Sequence, residues 1–194
     1  MTVFYVLDTH IITKTCSFRA VKYAKIGNKS WEEEPKMVSN EVLKEFALFK
    51  DLDDSELTSI AALCHEKTRG KDEMCFAQGQ KANELHLCRS GSVRIVVQVF
   101  EPRGMKATVH TAKSGEVFGW SALVEPKKYT AYAECVGRVE EICIKGTDLI
   151  KLFERNPHTG YVVMRNLSSV ASSRLTETRE KLTKEMAAAF NQEW

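Results

Sequence analysis

Glycine turns divide the middle of the chain into short apolar segments, and this feature restricts the fold more than any other. The turns lie at Gly79, Gly91, Gly104, Gly115 and Gly137. The segments at residues 85–88, 92–100, 106–110 and 132–144 are rich in valine, isoleucine and aromatic residues and are short enough to be strands. Several short strands separated by regular turns predict an all-β sandwich or barrel in this region.

Helical patterns flank the strand-rich region on both sides. From Ser39, apolar residues recur three and four positions apart in two runs, the second ending at Cys64, and these runs predict two short helices. After the strands, residues 148–154 resemble a short helix, and Pro157 opens a stretch that contains no other proline as far as Phe190. The predicted fold class is mostly β with α, with N-terminal helices and a long C-terminal helix around a barrel.

The long C-terminal helix carries a stripe that a small barrel cannot cover along its whole length. The stripe consists of Tyr161, Met164, Ser168, Ala171, Leu175, Thr178 and Leu182. A second copy of the helix, related by a two-fold axis, would bury these residues. The sequence therefore predicts a homodimer that pairs through this helix.

These patterns divide the chain into three zones. Residues 1–36 form an N-terminal extension to which we assign no role. Residues 37–155 form the strand-rich domain with its flanking helices, and residues 156–194 form the long helix and a tail.

The overall charge excludes a general binder of polyanions. The 194 residues include 28 basic and 26 acidic side chains, a net charge of +2, which supplies no field to hold the chain on nucleic acid or an anionic membrane. No apolar run approaches the ~20 residues of a membrane span. We therefore expect no membrane partner and a cytoplasmic protein.

Cysteines and acidic residues give no sign of catalysis or of a metal. The six cysteines include no C-x-x-C pair, and we expect buried free thiols in a reducing compartment without a bound metal. Nucleophile-elbow, Walker and H-E-x-x-H motifs are absent from the sequence, so no catalytic residue is assigned and the chain is not expected to be an enzyme. Glu56 and Glu66 fall on the predicted early helices and are expected to face solvent.

Two glycine-containing motifs resemble those of cyclic-nucleotide-binding domains. Residues 79–93 resemble the turn and strand pair of that family, which ends in the pattern S-G-x-V. Residues 114–123, followed by residues 129–131, resemble its phosphate-binding cassette. The resemblance extends from about Leu48 to Leu182. It implies a β jelly-roll that senses a small anionic ligand and passes the signal to a long dimerising helix.

The resemblance also implies a ligand site at the cassette. A glycine turn lets the backbone approach an anion, and a short helix beginning near Ser121 would direct N–H groups at a phosphate. A hydroxyl from Thr130 would add a donor. The candidate ligand-binding residues are Phe118, Gly119, Trp120, Ser121, Ala122, Leu123, Lys128, Tyr129, Thr130 and Ala131.

Two cassette positions depart from the family pattern. Trp120 replaces the glutamate that accepts the ribose hydroxyl, and Tyr129 replaces the arginine that pairs with the cyclic phosphate. Loss of the arginine alone is expected to weaken binding about 10- to 100-fold, so we do not expect cyclic AMP to bind in the usual way. Lys127 and Lys128 could supply the positive charge instead. The aromatic rings, with Tyr132, could stack on a flat ligand or fill the pocket.

Three functions stay open at this stage. The first is a non-enzymatic sensor of a cyclic nucleotide or another small anionic ligand, with no permanent cofactor. The second is a ligand-free dimerisation or interaction module with an aromatic-filled pocket, and the third is a thiol-based redox or metal sensor. Many relatives of the catabolite-activator and anaerobic-regulator type carry a winged helix after the dimer helix. Residues 183–194 are too few to form one, so direct DNA binding is not expected.

Overall fold

Helices stand at both ends of the strand-rich region in the computed structural model, which describes residues 38–98 and 105–190. The helical elements in chain order are α1 (Asn40–Lys44), a 3-10 helix (Ala47–Phe49), α2 (Asp54–Ala61), a 3-10 turn (Trp120–Ala122), α3 (Gly146–Arg155) and α4 (Pro157–Phe190). The predicted N-terminal extension, with its Cys16, lies outside the described residues.

Eight strands form two four-stranded antiparallel sheets. The strands are β1 (Cys64–Arg69), β2 (Met74–Phe76), β3 (Glu84–Ser90), β4 (Ser92–Gln98), β5 (Lys106–Lys113), β6 (Val117–Phe118), β7 (Tyr132–Cys135) and β8 (Val139–Lys145). The first sheet has the order β1-β8-β3-β6 and the second has the order β2-β7-β4-β5. The predicted β jelly-roll with helices at both ends is confirmed.

The first sheet separates two apolar cores. Alternate residues of β3 point to opposite faces, so Leu85 and Leu87 join the helices in one core, whereas Cys88 joins residues of the second sheet in the other. We call the first the helix-side core, which includes Leu43, Phe46, Phe49, Leu57, Ile142, Leu149 and Val163. We call the second the inter-sheet core, which includes Phe76, Val93, Ala112, Phe118, Tyr129, Ala133 and Val139.

The structure corrects the predicted end of the second helix. The sequence pattern extends this helix to Cys64, but α2 ends at Ala61 and Cys64 begins β1. β1 lacks the apolar alternation of an ordinary strand because its inward positions carry His65, Lys67 and Arg69. These side chains form ion pairs with carboxylates on β3 and β8. Tertiary contacts, and not local sequence preference, therefore stabilise β1 as a strand.

The expectation that Glu56 and Glu66 face solvent from helices is wrong in two ways. Glu66 lies on β1, where it is exposed and pairs with Arg89. Glu56 does lie on a helix, but it is only 4% exposed. It completes a capping box with Asp53 and accepts a hydrogen bond of 2.7 Å from Oγ1 of Thr159. Its carboxylate therefore joins α2 to the start of α4.

α4 is buried at its beginning and exposed toward its end. Gly160, Val162, Val163 and Leu167 are buried against the preceding helices, and a Cβ on Gly160 would lie 2.8 Å from Cβ of Phe153. Beyond this region the helix crosses the barrel and continues to Phe190 as predicted. Across residues 38–98 and 105–190, none of the helices has the combination of length and apolar character needed to cross a bilayer.

Candidate functional site

The cassette-like segment begins with a tight turn at Gly119, directly after β6. Gly119 has a φ of 72°, and a Cβ there would lie 2.8 Å from Cδ2 of His86 and 3.1 Å from Cε1 of Phe76. Glycine adopts this positive φ without strain, and its lack of a side chain leaves room for the two neighbouring rings. The following residues, Trp120–Ala122, form a single 3-10 turn. This turn is too short to build the helix macrodipole that a longer helix would direct at a phosphate.

A cavity of about 200 Å³ lies between the cassette-like segment, the second sheet and α4. Its wall is apolar where β4 contributes Ile95 and Val97. It is polar where α4 contributes Arg174, Glu177 and Thr178. The long helix therefore forms part of the pocket itself, and a bound molecule would contact it directly.

The predicted ligand-binding residues divide into two groups. Those that line the cavity are Phe118, Trp120, Thr130 and Ala131. Those that lie outside its lining are Gly119, Ser121, Ala122, Leu123, Lys128 and Tyr129. The Trp120 side chain also packs against the helix-side core, and the cavity that it lines stays open.

Lys127 and Lys128 contribute no charge to this cavity. Lys128 is exposed, and Nζ of Lys127 lies 3.4 Å from Oε1 of Glu125 on the same loop. Neither lysine is among the residues that line the pocket. The charge that the sequence suggested for these two lysines is therefore not found at the cavity lining.

Tyr129 occupies the inter-sheet core. Its ring stacks on Phe76 with centroids 3.7 Å apart, and its hydroxyl donates a hydrogen bond of 2.8 Å to the carbonyl of Glu84. Burial raises the pKa of this hydroxyl, which therefore stays protonated. The tyrosine at the family's arginine position thus serves as a packing residue whose polar end is satisfied by the backbone.

Four charged or ionisable side chains join α4 to the barrel beside the cavity. Nε2 of His110 lies 3.1 Å from Oε2 of Glu116, and its Nδ1 lies 3.3 Å from Oε2 of Glu177. Nη2 of Arg174 lies 3.3 Å from the same Glu116 oxygen. Burial, and then the charge of Arg174, lowers the pKa of His110, so the ring is neutral at pH 7. A neutral ring has one N–H and can donate to only one of the two carboxylates.

Arg174 has spare hydrogen-bonding capacity inside this group. Its side chain is 14% exposed, and within the described part of the chain its Nη1 is buried without a hydrogen-bond partner. Sequence reasoning missed both Arg174 and His110, which reach the cavity from α4 and β5. The available signal is an arginine beside the apolar stripe of α4, but Arg165 stands beside that stripe as well, so the spacing does not distinguish a pocket residue from a solvent-facing one.

Comparisons with known proteins agree with this architecture. The family model described as cyclic nucleotide-binding domain matches residues 66–156. A Geobacter metallireducens protein described as cyclic nucleotide-binding is 30% identical, with a TM-score of 0.64 over 72% of this chain and 99% of that one. The chain belongs to the cyclic nucleotide-binding domain family. Its β jelly-roll is the fold that this family leads one to expect.

Two other relatives show how far the similarity extends. The Thermus thermophilus catabolite activator protein is 25% identical, with a TM-score of 0.60 over 72% of this chain and 63% of that one. Glutaminase 1 of Bradyrhizobium diazoefficiens is 28% identical over 141 residues, which are 72% of this chain but 22% of that protein. The match therefore covers only a small part of a much longer enzyme. The similarity is that of one domain and does not extend to the rest of that protein.

Proposed function

We propose that this cyclic nucleotide-binding-like domain is a non-enzymatic sensor that binds a small anionic ligand beneath α4 and reports its presence through that helix. The main support for the proposal is Nη1 of Arg174, which lies beside the cavity. Within the part of the chain that the structure describes, this nitrogen is buried and has no hydrogen-bond partner. A buried donor without a partner costs about 1–3 kcal/mol, and more when the group is charged. An anionic ligand that accepts from this nitrogen would remove that cost.

The source of the positive charge distinguishes this pocket from the family pattern. The cassette position that carries arginine in the family holds Tyr129, which is buried in the inter-sheet core. Arg174 supplies the charge from α4, and Thr130 adds a hydroxyl at the cavity wall. The domain is therefore expected to recognise an anion without using the usual cassette contacts to cyclic AMP.

The size of the cavity constrains the ligand. Ligand pockets for drug-sized molecules usually have volumes of about 300–1,000 Å³. The cavity here is about 200 Å³. A small anion fits with α4 in its present place, whereas a nucleotide requires α4 or Trp120 to move outward. The aromatic-filled module is disfavoured because the tryptophan leaves this volume open.

The contacts around Arg174 explain how binding would be reported. The guanidinium is held by Glu116, which also contacts His110, and His110 in turn contacts Glu177 on α4. An anion at Nη1 competes for the guanidinium with the Glu116 carboxylate. A change at this arginine therefore alters how the helix is held against the barrel, and the ligand shifts the balance between two positions of the helix.

The exposed part of α4 supplies the surface for a homodimer. Tyr161, Leu175 and Leu182 are each more than half exposed, as are Met186 and Phe190 further along the helix. Met164 and Ala171 of the predicted stripe are partly buried, and Thr178 faces the cavity. A two-fold partner helix would cover the exposed apolar residues. Since the same helix contacts the ligand pocket, its displacement would change the dimer.

The test is a thermal-shift titration of the full chain with cyclic AMP, cyclic GMP, cyclic di-GMP, inorganic phosphate and succinate. A ligand at 100 times its Kd stabilises a protein by about 2.7 kcal/mol, which corresponds to a shift of roughly 5–10 °C here. Arg174→Gln is expected to weaken that ligand's binding about 10- to 100-fold.

Arg179→Gln is the matched control because Arg179 is an exposed arginine on the same helix. It is expected to leave the titration unchanged. If none of the five compounds stabilises the protein, or if Arg174→Gln binds as tightly as Arg179→Gln, the proposed sensor function is wrong.

A further inference from the structure

Three side chains of metal-binding type form a row across the first sheet. In the strand register, His65 on β1 lies opposite Cys143 on β8, and Cys143 lies opposite His86 on β3. Residues directly opposite each other on neighbouring strands point to the same face of the sheet. Glu84 and Glu141 stand two residues from His86 and Cys143 on the same strands, so they share this face as well.

The donor atoms of these five residues converge on Cys143. Those of His65, Glu84 and Cys143 all lie within 4.8 Å of one another, and so do those of His86, Glu141 and Cys143. Nε2 of His65 is 3.0 Å from Oε1 of Glu84. Sγ of Cys143 is 3.4 Å from Nδ1 of His86. The thiol is therefore the common point of two groups of three potential ligands.

Two cations hold the carboxylates in place from outside the cluster. Nζ of Lys67 lies 2.7 Å from Oε2 of Glu84, while Oε1 of that carboxylate is directed at His65. Nε of Arg69 lies 2.6 Å from Oε1 of Glu141, while Oε2 of that carboxylate is 3.1 Å from His86. The carboxylate ligands of metal sites in proteins are themselves usually hydrogen-bonded, as Glu84 is here by Lys67.

We propose that His65, Glu84 and Cys143 bind a divalent metal ion of the zinc type, with water as the fourth ligand. Imidazole, thiolate and carboxylate donors are the set that zinc prefers, in tetrahedral geometry. With ordinary bond lengths, a tetrahedral zinc places a nitrogen and an oxygen ligand about 3.4 Å apart. Nε2 of His65 and Oε1 of Glu84 already lie 3.0 Å apart, and Sγ of Cys143 lies within 4.8 Å of both.

His86 and Glu141 stay outside the proposed ligand set because they already hold each other. Nδ1 of His86 lies 3.1 Å from Oε2 of Glu141, and Arg69 holds the other oxygen of that fully buried carboxylate. The proposed ion therefore leaves this second group unchanged.

The ion can reach the site from solvent. The side chains of His65 and Glu84 are 39% and 22% exposed, and Glu84 also lines an open cleft with Asn83, Lys145 and Thr147. Cys143, at the inner end, is fully buried. A cysteine binds zinc as the thiolate, so binding replaces the S–H bond of Cys143 by an S–metal bond and releases that proton to solvent.

The proposed ion would stabilise the floor of the cassette. His86 packs against Phe118 with ring centroids 5.0 Å apart, and its Cδ2 faces Gly119. A metal bound to His65, Glu84 and Cys143 would tie β1, β3 and β8 together, next to the His86 that packs beneath the cassette turn. This site is separate from Arg174 and does not depend on the proposed anion pocket.

The experiment is a Co²⁺ titration of the reduced, chelator-treated full chain. We expect one equivalent of Co²⁺ to produce a thiolate-to-cobalt charge-transfer band in the near ultraviolet and visible bands typical of tetrahedral cobalt. Zn²⁺ is expected to displace Co²⁺ and so to abolish the charge-transfer band and the visible bands. A pH indicator should record the proton released from the thiol as the metal binds. Cys143→Ala should abolish the charge-transfer band. His65→Gln, at a partly exposed position where folding is preserved, should weaken Co²⁺ binding at least about tenfold.

Cys64→Ala is the matched control. Cys64 is the neighbour of His65 on β1, but it packs against the helix-side core on the opposite face of the sheet. The Cys64→Ala substitution should therefore leave the spectrum of the Co²⁺-bound protein unchanged. The proposal is overturned if the wild-type chain shows no charge-transfer band, if the band survives in Cys143→Ala, if His65→Gln binds Co²⁺ as tightly as the wild type, or if Cys64→Ala removes the band.

Discussion

The buried carboxylate of Glu141 is expected to control the acid sensitivity of the barrel. Burial by itself raises the pKa of this group, but the hydrogen bond and charge of His86 and the contact with Arg69 outweigh it and lower the pKa from 4.5 to about 2. One pKa unit corresponds to about 1.4 kcal/mol, so the ionised carboxylate contributes on the order of 3 kcal/mol of stability at neutral pH.

The sign of the pH dependence follows from this shift. Because the pKa is lower in the folded protein, the stabilisation is fully present above the unfolded value of 4.5 and is lost as the pH falls toward about 2. Between pH 7 and pH 3.5, this one group accounts for a loss of about 1 kcal/mol. Glu141→Gln keeps the shape of the side chain and removes the charge, so this part of the acid dependence should disappear.

Urea unfolding followed by circular dichroism at pH 7 and pH 3.5 measures both effects. Glu66→Gln is the control, because the side chains of Glu66 and Arg89 are each 35% exposed and such a pair is worth less than about 1 kcal/mol. We expect Glu141→Gln to lose on the order of 3 kcal/mol at pH 7 and to show a flatter acid dependence than the wild type. A Glu141→Gln protein as stable as Glu66→Gln, with an unchanged dependence on pH, would refute the reasoning.

Two further predictions concern the cassette turn and the dimer. Gly119→Ala forces a left-handed residue and a Cβ contact of 2.8 Å with His86, so it should lower the free energy of unfolding by about 2–4 kcal/mol in urea titrations. Gly137→Ala, where a Cβ meets no atom within 4 Å, serves as its control. Leu175→Glu places a charge on the exposed stripe of α4 and should convert a dimer to a monomer in sedimentation velocity. A monomeric wild type would contradict the dimer.

Much of the fold was predictable because its signals are local. Strands β3, β4, β5, β7 and β8 carry β-branched and aromatic residues between glycine turns, and their approximate positions were predicted. β1 was missed because its inward residues are charged. Those residues are stable there only because β3 and β8 bring partners to them.

The candidate site was less accessible to sequence reasoning. The cassette motif led to Phe118, Trp120 and Thr130, which do line the cavity. It also led to Tyr129 as a pocket residue, although that ring packs in the inter-sheet core. Arg174 was not predicted, because its role depends on where α4 crosses the barrel.

The sequence by itself determined the order of the helical and strand-rich regions, the jelly-roll family and the location of the cassette turn. These properties depend on turn chemistry and on the spacing of apolar residues, which act over a few neighbouring positions. Only the tertiary structure decided which polar groups meet. His65, His86 and Cys143 are far apart in the chain and become neighbours through strand register, and Arg174 reaches the cavity through the docking of a helix. Burial then determines their chemistry, because removing water strengthens each interaction among charged groups.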